Sequence, residues 1–510
     1  MYSTKLYLVI IALLAASALP SQVAAQHTQY KLIDLGTFGG TQSYVALTDN
    51  KTVYTRVLND RGTVAGTAET SMADPNPFCF STSNFFNIAD CLIAHAFEWH
   101  DGTKTDLGVL PGNANSGFPV ISASGLIAGV SEDPYTIDPV LGFPEFHAVL
   151  WKNGEITELG ALTEEGGHSS VADAVNSRGQ VVGGAFTGNP DPASMLGTGF
   201  QTRAFLWQNG IMQDLGTLGG PDAQALMINE KGQVVGDSYT SNSPNNGCGG
   251  ELTLTFGAFI WENGKMTDLG NFGGTCTFAF ALNNRGQVTG LSGLSGDQAQ
   301  HAFLWERNTM KDLGTFGGSF SAGNALNDAG EVAGYATLPG DQAVHAAVWN
   351  EAGITDVGEL PGDANSFGFG INEGGQVLGV SIDSQFTNFR AFVGQKGRPM
   401  LDLEPLAARS GLQFGLGIFA KSGTANINNR GEIAGNAIDA NGNWHAVLLV
   451  PCDQADTDCQ DVRATGIEVN PANTPQNMAI ANEAHHTLTS GGIPAMMRAR
   501  MAHSRRNLFR

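Results

Sequence analysis

The feature that most limits what this chain can become is an internal repeat. The stretch HAFLWERNTMKDLGTFGGSFSAGNALNDAGEVAG, His301 to Gly334, recurs in recognisable form along most of the sequence. A D-L-G element returns with its acid at Asp34, Asp106, Glu158, Asp214, Asp268, Asp312, Asp356 (as D-V-G) and Asp402 (as D-L-E). An I/L-N-x-x-G element returns at Asn59, Asn176, Asn229, Asn283, Asn327, Asn372 and Asn428, with Ser122 in its place in one copy. An H-A-F-x-W element ends at Trp99, Trp151, Trp207, Trp261, Trp305 and Trp349, with Gly394 and Leu449 replacing Trp in the last two copies. Six of the seven tryptophans thus occupy one repeat position, which marks them as framework.

Each copy resolves into four short runs rich in Val, Ala, Phe and Ile, separated by Gly and Asn turns, the pattern of short antiparallel strands. In the fifth copy these are Phe278–Asn283, Gln287–Ser292, His301–Trp305 and Thr309–Leu313. The shortest period, 44 residues between Asp268, Asp312 and Asp356, is too long for a β-helix rung and suits a four-stranded blade. The array begins with a lone fourth strand, Tyr30–Leu35, and ends after a third strand, Trp444–Val450, so each end completes the other. The expectation is an all-β chain: a single eight-bladed β-propeller closed by the N-terminal strand, with seven blades as the alternative.

These motifs, H-A-F before a Trp, G-x-M-x-D-L-G with a following G-G, and I-N-x-x-G-x-V-x-G, resemble the extracellular HAF-repeat family of bacteria over roughly Tyr30 to Val450. The resemblance implies an exported repeat protein and carries no catalytic residues with it. Residues 1–25 read independently as a secretory signal, with Lys5 ahead of an apolar stretch and small residues Val23 and Ala25 before Gln26. The expected domains are that signal, the repeat array over 26–450, an acidic cysteine-bearing segment over 451–470, and a disordered, basic-ended tail over 471–510. The mature chain is expected in the periplasm or outside the cell, with no membrane span.

A net charge of −22 argues against nucleic acid as a partner, because a broad negative field repels phosphate. Six cysteines in an exported chain read as disulfides. Among fifteen possible connectivities, nearness in sequence pairs Cys79 with Cys91, Cys248 with Cys276, and Cys452 with Cys459.

Strand parity puts the loops between second and third strands, and those between copies, on one face. These loops are long in copies one to four, at 69–93, 132–145, 186–202 and 239–256. They carry Phe80, Phe85, Phe86, Tyr135 and Tyr239 among Glu132, Asp133, Asp138 and Asp191, a mixture suited to a glycan, a peptide or a surface partner. The competing reading is that these rings form small cores beneath their own loops.

The remaining motifs read as framework. The His of H-A-F (His95, His147, His301, His345, His445) is expected to make a structural hydrogen bond, and the D-L-G acid to serve as a turn or inter-blade partner. Asp453, Asp456, Asp458 and Asp461 form an oxygen-rich loop that is a Ca²⁺ candidate, with a solvated acidic loop as the rival; no other cofactor is expected. No nucleophile elbow, zinc-protease, Walker or dinucleotide motif is present. The sequence therefore points to a non-enzymatic binding module, with an extracellular polysaccharide hydrolase or lyase, and a purely structural surface protein, as alternatives.

Overall fold

A computed structural model describes residues 29–45, 56–76, 91–142, 144–196, 198–241, 255–414 and 426–452. After β1 (Gln29–Asp34), seven four-strand units follow in order: β2–β5 (Gly39–Tyr44, Val64–Ala73, Leu92–His100, Thr103–Asp106), β6–β9 (Asn115–Ile121, Ile127–Ile137, Pro144–Lys152, Glu155–Gly160), β10–β13 (Ser170–Val175, Val181–Pro190, Phe200–Gln208, Ile211–Asp214), β14–β17 (Ala223–Ile228, Val234–Tyr239, Phe256–Glu262, Lys265–Asp268), β18–β21 (Gly273–Leu282, Val288–Leu294, Gln300–Glu306, Thr309–Asp312), β22–β25 (Ser321–Leu326, Val332–Thr337, Val344–Asn350, Gly353–Gly358) and β26–β29 (Asn365–Ile371, Gln376–Ile382, Phe389–Gln395, Leu401–Asp402). The eighth unit holds β30 (Ile433–Ile438) and β31 (Trp444–Cys452). Each unit is an antiparallel meander, and one parallel bridge, Phe256 with Cys276, joins the fourth sheet to the fifth.

The first and last of the described strands meet in one sheet. β1 pairs antiparallel with β31, from Gln29 opposite Cys452 to Asp34 opposite Val447, giving the order β1-β31-β30. The strand limits anticipated for the fifth copy hold to within a few residues at most ends, but its first strand starts earlier, at Gly273.

The hydrophobic core is spread through layers between neighbouring sheets. One such layer sets Ala65 and Ala96 of the first unit against Ile121, Ile127, Val149 and Trp151 of the second. The layer joining last to first packs Ala434, Ala446 and Leu448 against Val64, Phe97 and Trp99. A recurrent Ser or Thr in the first strands, at Ser43, Ser116, Ser170, Thr277, Ser321 and Ser366 with Ala223 in the fourth copy, ties sheets together. Ser116 Oγ accepts the Ala96 N–H and donates to the Gly108 carbonyl, and Ser43 does the first of these with Ala446, 403 residues away.

Two features were not anticipated. A short helix, α1 (Glu404–Arg409), follows β29. In the other copies the glycine of D-L-G takes positive φ, as at Gly314 (72°), and the chain turns there. Glu404 replaces that glycine, an L-residue disfavours the left-handed region, and with Pro405 behind it the chain enters a helix instead. The first strands also carry bulges, at Asp173, Leu226, Phe280, Asn324 and Phe369, each an extra residue between paired neighbours.

Candidate functional site

Antiparallel order puts the second-to-third-strand loops and the inter-copy connections at one end of the sheets, and both hairpins at the other. At the loop end, the second and third strands of the first three copies run past the body of their sheets as two-stranded arms. After a break in register they pair again at Ala73 with Leu92, Ile137 with Pro144, and Pro190 with Phe200.

Each arm is fastened to the next copy at one repeat position, the residue just before Ser116, Ser170 and Ala223. Asp74 Oδ2 accepts from Asn115 Nδ2 (3.1 Å). Asp138 Oδ2 accepts from Ser169 Oγ (2.5 Å), and Asp222 Oδ2 accepts from the Met195 N–H (2.5 Å). The same position in the fifth copy is Cys276, and its sequence-predicted partner Cys248 belongs to the fourth insertion but lies outside the described residues.

The sequence-predicted ligand residues therefore divide. Glu132 is 1% exposed, and its two oxygens accept from Asn76 Nδ2 (3.0 Å) and Asn115 Nδ2 (2.8 Å). Burial pushes its carboxyl up to about 8, helped by the nearby charges of Asp74 and Asp133 and opposed by the two amide hydrogen bonds. Asp138 and Asp191 are buried under their own loops. Tyr239 is buried as well, packed against Phe256 at 4.6 Å between ring centroids, with its hydroxyl donating to the Ala193 carbonyl. Burial lifts Asp222 to about 7, with the Asp191 charge adding and the Met195 and Thr202 N–H groups opposing. These carboxylates hold the arms in place. Tyr135, in contrast, is 73% exposed, and half-buried Asp133 beside it accepts the Tyr135 N–H. Of the four large hydrophobic side chains exposed among the described residues, Met72, Tyr135 and Ile137 sit on the first two arms. Phe80, Phe85, Phe86, Cys79, Cys459, Asp453, Asp456, Asp458 and Asp461 lie outside the described residues. Their counterparts Cys91 and Cys276 are buried, and Cys452 is partly so.

The repeated His and acid meet each other. His95 Nδ1 lies 2.8 Å from Asp106, His147 the same distance from Glu158, His301 2.9 Å from Asp312, His345 2.8 Å from Asp356, and His445 2.9 Å from Asp34. Where the sequence has Arg390 instead, the pair with Asp402 persists at 2.9 Å. The acid's other oxygen accepts the N–H of its D-L-G glycine, as in Asp106 with Gly108. The expected turn role holds, while the partner side chain belongs to the acid's own sheet rather than to a neighbouring one. His and acid face each other on the paired third and fourth strands.

Sequence reasoning read I-N-x-x-G only as a turn and missed its second role. Asn Oδ1 does close the turn, accepting from the second and fourth following N–H groups, as Asn176 does from Arg178 and Gln180. Its Nδ2 donates to the carbonyl of the same Asn one copy on: Asn176 to Asn229, then Asn283, Asn327, Asn372, Asn428 and finally Asn59, at 3.0–3.2 Å. These hairpins surround a cavity of about 230 Å³ walled by Ile121, Ile228, Phe280, Ile371 and Ile427. A second cavity, of about 570 Å³, opens at the hairpin end between the fourth and fifth copies, with Glu262 and Glu306 in its wall. Among the described residues no group of His, Cys, Asp and Glu is placed to hold a metal ion, and no helix is long and apolar enough to cross a membrane.

No family model and no curated protein sequence matches the chain. Solved structures similar to it include a Pyrococcus horikoshii acylaminoacyl peptidase, at 12% identity and a TM-score of 0.39 over 71% of this chain and 52% of that one. A Porphyromonas gingivalis dipeptidyl peptidase 4 aligns at 9% identity and a TM-score of 0.32, over 58% of this chain and 49% of that one. A Trypanosoma rangeli sialidase aligns at 9% identity and a TM-score of 0.28, over 82% of this chain and 58% of that one. The chain thus spans about half the length of the two peptidases, and none of these likenesses reaches a TM-score that bears on chemistry.

Proposed function

We propose that this chain is an exported, non-enzymatic interaction module of the HAF-repeat kind, built as one eight-bladed β-propeller, whose arms on the first blades bind a glycan, peptide or surface partner. The closed ring is supported by the β1–β31 pairing, the Ser43–Ala446 and Asn428–Asn59 bonds, and the core layer shared by last and first units. Disulfides in the proposed pairs would staple the insertions. That no described cysteine is a free thiol supports this. Export rests on the signal-like residues 1–25.

The observation that carries the binding reading is the exposure of Met72, Tyr135 and Ile137 on arms that the carboxylates of Asp74 and Asp138 pin to the next copy. Apolar groups held in water on a rigid mount gain by being covered. A glycan and peptide array probed with the purified chain and with a Tyr135→Ala/Ile137→Ser variant tests this. Loss of the wild-type signal in the variant, with an unchanged melting temperature, is expected. Equal signals from both proteins would overturn the reading.

A hydrolase or lyase acting on polysaccharide is the second reading, favoured by one observation: Glu262 and Glu306 wall the same cavity, as paired carboxylates of glycoside hydrolysis do. Release of reducing ends or unsaturated products from array-positive polysaccharides, abolished by Glu306→Gln, would establish it over the first.

A further inference from the structure

The cavity at the hairpin end of the fourth and fifth copies goes beyond the arm-based reading. Its wall carries four cations, Lys231, Lys265, Arg285 and Arg307, against two carboxylates, Glu262 and Glu306. The whole chain has 26 Lys and Arg against 48 Asp and Glu, so an excess of positive charge inside one cavity runs against the composition of the protein. Lys231 and Arg285 follow the repeat, since Arg61, Arg178 and Arg430 hold the same place between the first and second strands of other copies. The departures are on the hairpins between third and fourth strands, where Lys265 stands at the place of Glu155 and Ile211, and Arg307 at the place of Asn153 and Asn209.

The charges are also incompletely neutralised. Arg285 and Arg307 both stand 3.9 Å from the single carboxylate of Glu306, and Arg285 Nη1 is steered by the Ala329 carbonyl at 3.1 Å. Lys231 and Lys265 have no ion-pair partner among the described residues. Between the cations lie neutral groups that donate or accept hydrogen bonds, Gln233, Thr267 and Asn308, over a floor of Ile260 and Trp305. A volume of about 570 Å³ is the size of a small-molecule site.

We propose that this cavity binds a carboxylate-bearing saccharide. The ligand's carboxylates would meet the lysines and arginines, and its hydroxyls would meet the glutamates and neutral polar groups. A bare anion satisfies the cations and leaves Glu262 and Glu306 repelled; a neutral sugar leaves the lysines uncompensated. Hydroxyls and carboxylates on one chain satisfy both.

Isothermal titration of the purified chain with a hexamer of galacturonic acid tests the proposal. Binding is expected at about 20 mM salt and should weaken steeply toward about 200 mM, as screening of an exposed charged site requires. Lys265→Gln/Arg285→Gln should weaken it about tenfold or more, the cost of losing charge-assisted contacts. Arg409→Gln, an exposed charge change on α1, should leave binding unchanged, as should the Tyr135→Ala/Ile137→Ser variant, which separates this site from the arms. The proposal is overturned if the hexamer does not bind at low salt, if neutral maltohexaose binds equally, if equimolar phosphate displaces the hexamer, or if the double variant binds as wild type does.

Discussion

Asn428, in the last copy of the repeat, donates from Nδ2 to the carbonyl of Asn59, in the first copy, at 3.0 Å and across 369 positions of sequence. The bond has the same donor, acceptor and length as the one Asn372 makes to Asn428 one copy earlier. The seam between the two ends of the array is thus built from the contact used between consecutive copies.

Asn428→Ala should be costly. It removes both bonds from Nδ2, to Asn59 and to Glu432, and leaves the N–H groups of Arg430 and Glu432 without their acceptor in a buried turn. A loss of about 1–3 kcal/mol is expected from urea titration. A loss equal to that of a surface substitution would mean that the seam adds nothing to stability.

Asn59 offers a change in the opposite direction. Its Nδ2 is buried without an acceptor, because Thr63 stands where other copies place a side-chain carbonyl or carboxylate, as Gln180 does for Asn176 (2.7 Å). Thr63→Gln should supply that acceptor and raise stability by up to about 1 kcal/mol. Its cost is the Thr63 contact with His100. A lower melting temperature would show that the Gln does not reach.

His445 and Asp34 should make the seam pH-dependent. The hydrogen bond that His445 donates to Asp34 lifts His445 above 6.5 against the opposite pull of burial, with the charges of Asp34 and Asp439 adding. Burial by itself would raise Asp34, but the His445 hydrogen bond, the Gly36 N–H and the charges of His445 and Lys104 outweigh it and hold the carboxyl below 3.8. The raised His contributes fully below 6.5, and that contribution fades as pH climbs through its folded value. The lowered Asp contributes above 3.8, and that contribution fades as pH falls through its folded value. The melting-temperature gap between wild type and His445→Gln should therefore be widest from about pH 4 to 6.5 and narrow on both sides. A gap constant from acid to alkali would contradict the pairing.

Glu132 should act in the other sense. Its folded value of about 8 lies above the ordinary 4.5, so it stays protonated in the native state while the unfolded chain ionises. Stability is accordingly lost as pH rises from 4.5 toward 8. Glu132→Gln removes that titration, and its advantage over wild type should grow from about pH 5 to pH 9 in thermal melts. An advantage that does not change with pH would show that Glu132 does not titrate in this range.

Much of the fold was legible because a repeat states its rule eight times. Trp and H-A-F fixed the third strand, D-L-G the fourth, and I-N-x-x-G the first hairpin. The split copy, its fourth strand at Tyr30–Leu35 and its third at Trp444–Val450, pointed to the β1–β31 pairing that is present. The helix at Glu404 was visible only as a missing glycine, and the first-strand bulges left no local signal, since one extra residue within a Val- and Ala-rich run does not disturb its composition.

The candidate sites divide along the same line. Sequence placed Glu132, Asp138, Asp191 and Tyr239 in long loops but did not show that the loops fold back over them, because burial depends on what the next copy presents. Asn115, Ser169 and Asp222, which receive the arms, are up to 41 residues away from their partners and unremarkable in sequence. The cationic cavity likewise joins hairpins that are separate in the chain.

By itself the sequence determined the unit: four short strands, their turns, and how many times they recur, all of which follow from local backbone preference and the spacing of apolar residues. Only the tertiary structure decided how the units meet. The asparagine relay, the carboxylates that pin the arms and the unneutralised cations of one cavity all arise between copies, where desolvation and hydrogen-bond geometry depend on residues that the chain brings together from a distance.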